Sequence, residues 1–200
     1  MPKIILASAS PRRRQLLHQV GAKFEVVTSN VEENIEQQMP ASDLVQALAY
    51  AKARDVAYHI HDNACIVIGA DTVVVYNDQI LGKPQHKEHA YEMLRMLSGS
   101  THEVFTGFAI IDKHTDKSVK QYEKTRVTFR QLNDREINAY IKTGEPMDKA
   151  GAYGIQEIGS LLIESIQGDY FNVVGLPIMR VACLLKSEFG IDNIIDTLKE

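Results

Sequence analysis

What this 200-residue chain lacks narrows it first. No apolar run approaches the ~18–20 residues that a membrane span needs. The N-terminus does not show the charged-then-apolar layout of a signal peptide. Only two cysteines are present, Cys65 and Cys183, far apart and each in an apolar stretch. That spacing suggests no disulfide framework, and a reduced, intracellular pair is expected. A net positive charge is missing as well. The formal charge is −4, which argues against the broad basic footprint of a nucleic-acid binder. A cytoplasmic protein is the expectation. Phosphate loops of the familiar kinds are missing: Gly82-Lys83 runs into Pro84 instead of completing a Walker motif, and no Gly-x-Gly-x-x-Gly fingerprint occurs. His59 with His61, and His86 with His89, lie on polar helical stretches without partner cysteines, so neither pair is read as a zinc site. No Ser/His/Asp or Cys/His set suggests a covalent nucleophile. Internal repeats, low-complexity tracts and clear linkers are also absent.

What is there is an ordinary globular composition, 44% apolar and 24% charged, long enough to bury a substantial core. Residues 3–7 read as a buried strand and about 11–20 as a helix closed by Gly21. A second strand is predicted over Phe24–Thr28, followed by an acidic loop, Val31 to Asn34. Ser42 and Asp43 are expected to open a helix to about His61, with Leu44, Val45, Leu48 and Val56 inward. Cys65–Tyr76 is the strongest strand signal, and Asn77-Asp78 turns it into a short return strand, Gln79–Leu81. A helix over 86–97 places Ala90, Met93, Leu94 and Leu97 inward. Two long strands near 102–112 and 118–130 follow, joined by a polar turn. Asn133 and Asp134 cap a further helix that ends at Gly144. The loop Glu145–Gln156 is rich in glycine and other special residues. A strand over 160–166, a turn at Gln167-Gly168-Asp169 and a helix from about Pro177 complete the reading, with a short helix an option for the tail from Ile191. Alternating strands and helices followed by hairpin-like strands argue for an α/β fold with a mixed sheet, in two lobes around a cleft.

The first candidate site is the turn from strand to helix at Ser8-Ala9-Ser10-Pro11-Arg12-Arg13-Arg14. Ser10 sits at an N-cap position and Pro11 at the first helical position. The cap exposes backbone N–H groups at a positive dipole end beside hydroxyl and guanidinium groups, a combination suited to phosphate. A well-capped helix with a basic, solvated turn is the alternative. Asp71 is the most informative single residue. A carboxylate inside an apolar strand is either a functional group or an aspartate at a local bend after Gly69 that binds backbone amides. Lys52 falls one turn beyond Leu48, at the edge of an apolar helix face where an unmatched ammonium is costly. Lys83 follows the Asp71 hairpin, and Lys149 lies in the glycine-rich loop. Glu33 gains weight if it approaches Asp71, since two carboxylates can hold a hard divalent cation.

Taken in order, several separated segments resemble the Maf family of nucleoside triphosphate pyrophosphatases. They are Ala7–Arg13, Glu33, Lys52-Ala53, Gly69–Thr72, Gly82-Lys83-Pro84, Leu97-Ser98-Gly99, Glu145–Gln156, Gly168-Asp169-Tyr170 and Val174–Pro177. The resemblance covers nearly the whole chain as a single domain, residues 1–200. It implies a two-lobed α/β fold around a long, mixed, twisted sheet flanked by helices, similar to the inosine triphosphate pyrophosphatases, with the active-site cleft between lobes. It further implies Mg²⁺- or Mn²⁺-dependent hydrolysis of a nucleoside triphosphate to the monophosphate and pyrophosphate. By position Asp71 matches the catalytic base and, with Glu33, the metal ligands. Ser8, Arg12, Arg13, Lys52, Thr72, Lys83, Lys149 and Gln156 are the substrate-binding candidates. Arg12, Thr72 and Gln156 match the specificity residues of the subfamily acting on dTTP and UTP, including modified pyrimidine nucleotides. The Gln156 amide offers a donor and an acceptor that match the O4 and N3–H edge of uracil or thymine. The resemblance also implies a homodimer. The family's association with inhibited septum formation implies cell-division partners, and with them a second reading as a regulatory nucleotide- or protein-binding protein.

Overall fold

The computed structural model describes residues 2–31 and 39–191. Seven strands form one sheet in the order β2-β1-β3-β5-β6-β7, with β4 paired to β3. These are β1 (Lys3–Ala7), β2 (Phe24–Val26), β3 (Cys65–Tyr76), β4 (Gln79–Leu81), β5 (Thr101–Asp112), β6 (Ser118–Phe129) and β7 (Ile163–Gln167). β1 runs parallel to both β2 and β3, whereas β3–β4 and β6–β7 are antiparallel, so the sheet is mixed. Among the described residues six α-helices accompany it: α1 (Pro11–Gln19), α2 (Ala41–His59), α3 (Lys87–Leu97), α4 (Asp134–Lys142), α5 (Tyr170–Val174) and α6 (Ile178–Phe189). No described helix is long and apolar enough to cross a membrane. The chain divides into two compact units. The first holds residues 1–71, 106–123 and 175–200, and the second residues 72–105 and 124–174.

In the first unit, period-2 alternation decides which side chains meet α2. Ile5 and Ala7 of β1, Cys65 and Val67 of β3, and Ala109 and Ile111 of β5 form one cluster with Ala49, Ala53, Val56 and Ala57 of α2. Gly69 and Gly107 continue those rows. A Cβ built at Gly69 would lie 2.2 Å from the Ala49 carbonyl oxygen and 2.8 Å from the Ala53 nitrogen. At Gly107 it would lie 2.2 Å from the Val45 carbonyl. The backbone of α2 therefore rests on the sheet at two glycines, and alanines complete the contact. Gly69 marks close approach, not a bend: β3 is continuous through Asp71. The helix begins at Ala41 after Pro40, which makes no side-chain cap bond. Ser42 and Asp43 lie within its first turn instead of capping it.

The second unit buries a separate core. α3 contributes Ala90, Met93, Leu94 and Leu97, and α4 contributes Ile137, Tyr140 and Ile141. These pack with Val74, Val104, Val127, Phe129 and, from the loop that follows α4, Ala152 and Tyr153. Asn133 and Glu136 form a reciprocal capping box at the start of α4. His86 caps α3 by accepting from the His89 amide, which gives that histidine pair a structural role. Three readings change. β7 begins at Ile163, because 157–162 forms 3₁₀ turns instead of strand. The five-residue helix α5 was too short to leave a periodic signal. β2 ends at Val26, two residues before the expected boundary. The tail beyond Ile191 and the acidic residues 32–34 lie outside the described residues.

The glycine contact has a direct consequence. Gly69→Ala is expected to lower unfolding free energy by about 3 kcal/mol, near the upper end for overpacking, because the obstacle is helix backbone and not a movable side chain. Urea unfolding of the variant against the parent protein measures it.

Candidate active site

β1 stops at Ala7, opposite Gly69 of β3 in parallel register. Beyond that point β1 has given way to a turn, while β3 continues for two residues to Asp71. Ser8 opens the turn, is 7% exposed, and its hydroxyl accepts hydrogen bonds from the Ser10 amide (3.2 Å) and the Arg13 guanidinium (3.2 Å). Ser10 caps α1 by accepting from the Arg13 amide at 3.5 Å, and Pro11 takes the first helical position, as expected. Arg13 Nε donates to the Gly175 carbonyl at 2.7 Å, which ties the start of α1 to the segment before α6. Arg12 is half-buried on the same first turn.

Asp71 follows Cys65, Val67 and Gly69 on the face of β3 turned to α2. Lys52 lies on α2 between Ala49 and Ala53, the two residues that touch Gly69. The close helix approach thus sets ammonium against carboxylate: Lys52 Nζ donates to Asp71 Oδ1 at 2.6 Å. Both are buried, at 8% and 5% exposure. Desolvating two charges is expensive, and the pair is tolerated because each neutralises the other at contact distance. The bend reading of Asp71 is replaced by this ion pair. Lys52 is inside the apolar face and not at its edge.

The remaining candidates belong to the second unit. Thr72 is half-buried, next in sequence to Asp71, and Lys83 is exposed after β4. The Gly151 amide donates to the Gly82 carbonyl at 3.0 Å, so the Lys83 turn and the loop carrying Lys149 are joined. Gly151 has φ +67° and an added Cβ would press on the Val74 side chain at 2.9 Å. Lys149 folds back onto its own loop, where Nζ donates to the Glu145 carbonyl (2.6 Å) and to Asp148 Oδ1 (2.7 Å). Gln156 is half-buried, immediately before Glu157, which holds φ +53°. Glu33 lies outside the described residues.

Sequence reasoning missed the groups that hold this loop. His102 Nε2 shares a 2.7 Å hydrogen bond with the Tyr153 hydroxyl, and both rings meet Phe129 edge-on. Nothing near His102 in the sequence marks it as buried beyond its place in a strand. Burial pushes its pKa from 6.5 down to about 4, and pushes the Tyr153 hydroxyl upward. Tyr140, on the last turn of α4, is raised by burial too. Its hydroxyl donates to Glu145 Oε1 at 3.0 Å.

With that geometry in place, comparison with known proteins is specific. The chain belongs to the Maf family: the model described as Maf-like protein matches residues 3–188. A dTTP/UTP pyrophosphatase of Alkaliphilus oremlandii (strain OhILAs) is 54% identical over 192 residues, covering 96% of this chain and 99% of that protein. Proteins of the same name from Bacillus anthracis (strain CDC 684 / NRRL 3495) and Bacillus cereus (strain ATCC 10987 / NRS 248) are each 55% identical over 96% of this chain, and over 98% and 92% of their own lengths. Protein VC0702 from Vibrio cholerae is a remote structural likeness, at 14% identity and TM-score 0.34 over 71% of this chain and 70% of that one.

Two outcomes follow from the site's electrostatics. Lys52→Met strands a buried carboxylate and is expected to cost about 3 kcal/mol, whereas Lys52→Met with Asp71→Asn costs less than the two single changes added together. A urea-unfolding double-mutant cycle reads this directly. His102 is neutral in the fold, and the unfolded chain takes up the proton first. Its contribution is therefore complete above pH 6.5 and is lost as pH falls toward about 4. His102→Gln is expected to flatten this loss, which amounts to about 3 kcal/mol between pH 7 and pH 4. Chemical unfolding across that range, with both proteins, measures the difference.

Proposed function

We propose that this chain hydrolyses dTTP and UTP to the nucleoside monophosphate and pyrophosphate, the activity for which its 54–55% identical relatives are named. The observation that carries the proposal is the buried Lys52–Asp71 contact beyond the end of β1, in the segment where the capped start of α1 also begins. A buried carboxylate in a polar pair is suited to hydrolytic chemistry, and the positive dipole end of a capped helix is suited to phosphate. Asp71 orients the attacking water and accepts its proton, a role typically worth ~10²–10⁴-fold in rate. The water oxygen bonds to the α-phosphorus as the α–β bridging bond breaks, and pyrophosphate leaves with that bond's electron pair. Ser8, Arg12, Arg13 and Lys52 hold phosphate oxygens, and Lys83 and Lys149 are assigned to the same task. Lys149 reaches phosphate only by exchanging its contacts with Glu145 and Asp148.

A divalent cation fits this donor chemistry. Among the described residues no three His, Cys, Asp or Glu side chains group to hold a metal unaided. Mg²⁺ and Mn²⁺ commonly take one or two carboxylates and complete their shell with substrate phosphates and water. Asp71 and Glu33 would hold the ion, which when bound neutralises phosphate charge. Holding metal lowers the basicity of Asp71, so its two roles compete. Gln156, with Arg12 and Thr72, is assigned to base choice: its amide presents the donor and acceptor that pair with uracil or thymine.

The homodimer, cytoplasmic location and cell-division partners implied by the resemblance belong to this proposal too, but carry none of its weight. The regulatory reading stands behind the enzymatic one, because the relatives are named for turnover.

Asp71→Asn keeps the side chain's shape and removes its basicity. It is expected to lower dTTP turnover at least about 100-fold while circular dichroism shows an intact fold. Chelation of divalent metal is expected to silence the parent enzyme, and added Mg²⁺ to restore it. Pyrophosphate release measures both, and an Asp71→Asn variant with the parent's turnover contradicts the assignment.

A further inference from the structure

The loop that carries Gln156 is pinched at its base by a compact hydrogen-bond knot. Gly144, with φ +77°, reverses the chain after α4 and brings Glu145 back beside Tyr140. Glu145 Oε1 accepts from the Tyr140 hydroxyl at 3.0 Å and from the Gly159 amide at 3.1 Å. The Tyr140 oxygen in turn accepts from the Gly154 amide at 3.2 Å. One carboxylate oxygen and one phenol oxygen therefore hold both ends of the segment 154–159, with Gln156 between them.

The same positions are sterically closed. A Cβ at Gly159 would lie 2.1 Å from the Gly154 carbonyl oxygen and 2.7 Å from the Tyr140 hydroxyl. A Cβ at Gly154 would lie 2.8 Å from Lys149 Cε. Gly159 is thus pressed against the Gly154 backbone with no room for a side chain, whereas Gly154 faces the Lys149 side chain. Within the pinch Glu157 holds φ +53°, a conformation that costs of order 1 kcal/mol for a residue with a Cβ and persists only where its surroundings impose it. The knot supplies that imposition next to Gln156.

We propose that Glu145 and Tyr140 are positioning residues for base recognition: they fix the segment 154–159 so that the Gln156 amide is presented in one orientation. The proposal rests on the reading of Gln156 as the base-selecting side chain. An amide presented in one orientation separates uracil and thymine from cytosine, whose edge reverses the donor and acceptor pattern. An amide free to rotate separates them poorly. Loss of the knot therefore acts on KM and on base choice before it acts on kcat.

The test uses the full chain and four variants: Glu145→Ala, Glu145→Gln, Tyr140→Phe and Gln156→Ala. Each is assayed for kcat and KM with dTTP and with dCTP. Amide hydrogen exchange is followed in peptides covering 154–159. Glu145→Ala and Tyr140→Phe are expected to speed exchange in this segment, to raise KM for dTTP about tenfold, and to erode preference over dCTP by a similar factor. Glu145→Gln keeps the accepting oxygen and is expected to restore both readouts to within about threefold of the parent. Unchanged exchange in folded Glu145→Ala and Tyr140→Phe overturns the proposal. Faster exchange with intact discrimination also overturns it, provided Gln156→Ala does reduce discrimination. If Gln156→Ala leaves discrimination intact as well, the base-selecting role of Gln156 fails, while faster exchange still establishes the knot as what orders the segment. Should Glu145→Ala not fold, Tyr140→Phe carries the same comparison.

Discussion

A carboxylate and an ammonium removed from water together are held only while they touch, and the contact between Lys52 and Asp71 depends on how closely α2 can approach the sheet. That approach is granted by Gly69 and Gly107, where any side chain would strike helix backbone. Alanines at 49, 53, 57 and 109 fill the space beside them. The small-residue seam and the buried charges are thus one design: the seam brings α2 near enough for a lysine side chain to stay inside the apolar face. β1 is the other part. By ending opposite Gly69 it leaves Asp71 past the strand's last rung and puts Ser8 and the cap of α1 at the same end of the sheet. Binding of charged ligands beyond the carboxyl ends of parallel strands is the general behaviour of α/β sheets, and this unit supplies that arrangement.

Much of this could be read from residues alone because the signals were periodic or local. The apolar run from Cys65 to Tyr76, interrupted only at Asp71-Thr72, set β3, and helical spacing set the inward residues of α3. The Ser10-Pro11 start of α1 is a local capping signal, and the structure shows the cap. Lys52 stood out because an ammonium beside Leu48 violates the pattern of its own face. Gly69 was harder. In one dimension a glycine before an aspartate suggests a bend, and only the packed helix above it reveals a close approach. The start of α2 was misplaced for a related reason: Ser42 and Asp43 are good capping residues, yet Pro40 already occupies the boundary, and their side chains fall inside the first turn.

The loop after α4 shows the other limit. Its glycines and its proline announced an unusual conformation without saying what holds it. The holding groups are ordinary residues with no local signature: Tyr140 on an amphipathic helix, Glu145 in a turn, and His102 in a strand. Tyr140 and His102 are buried, which raises the cost of every unmade hydrogen bond around the loop and pushes His102 toward its neutral form. The positions where such a loop departs from relaxed backbone, Ala152 and Glu157, flank the residue assigned to base choice. Such strain persists only where the surrounding structure imposes it.

The Lys52–Asp71 pair is proposed to serve cleavage of a pyrimidine nucleoside triphosphate between its α- and β-phosphates. Its most direct test is the product balance of the purified protein over a panel of dTTP, UTP, dCTP, dATP and dGTP with Mg²⁺. Equal amounts of monophosphate and pyrophosphate are expected from dTTP and UTP, at rates at least about tenfold above the other nucleotides. Orthophosphate with nucleoside diphosphate, or turnover confined to purine nucleotides, would contradict it.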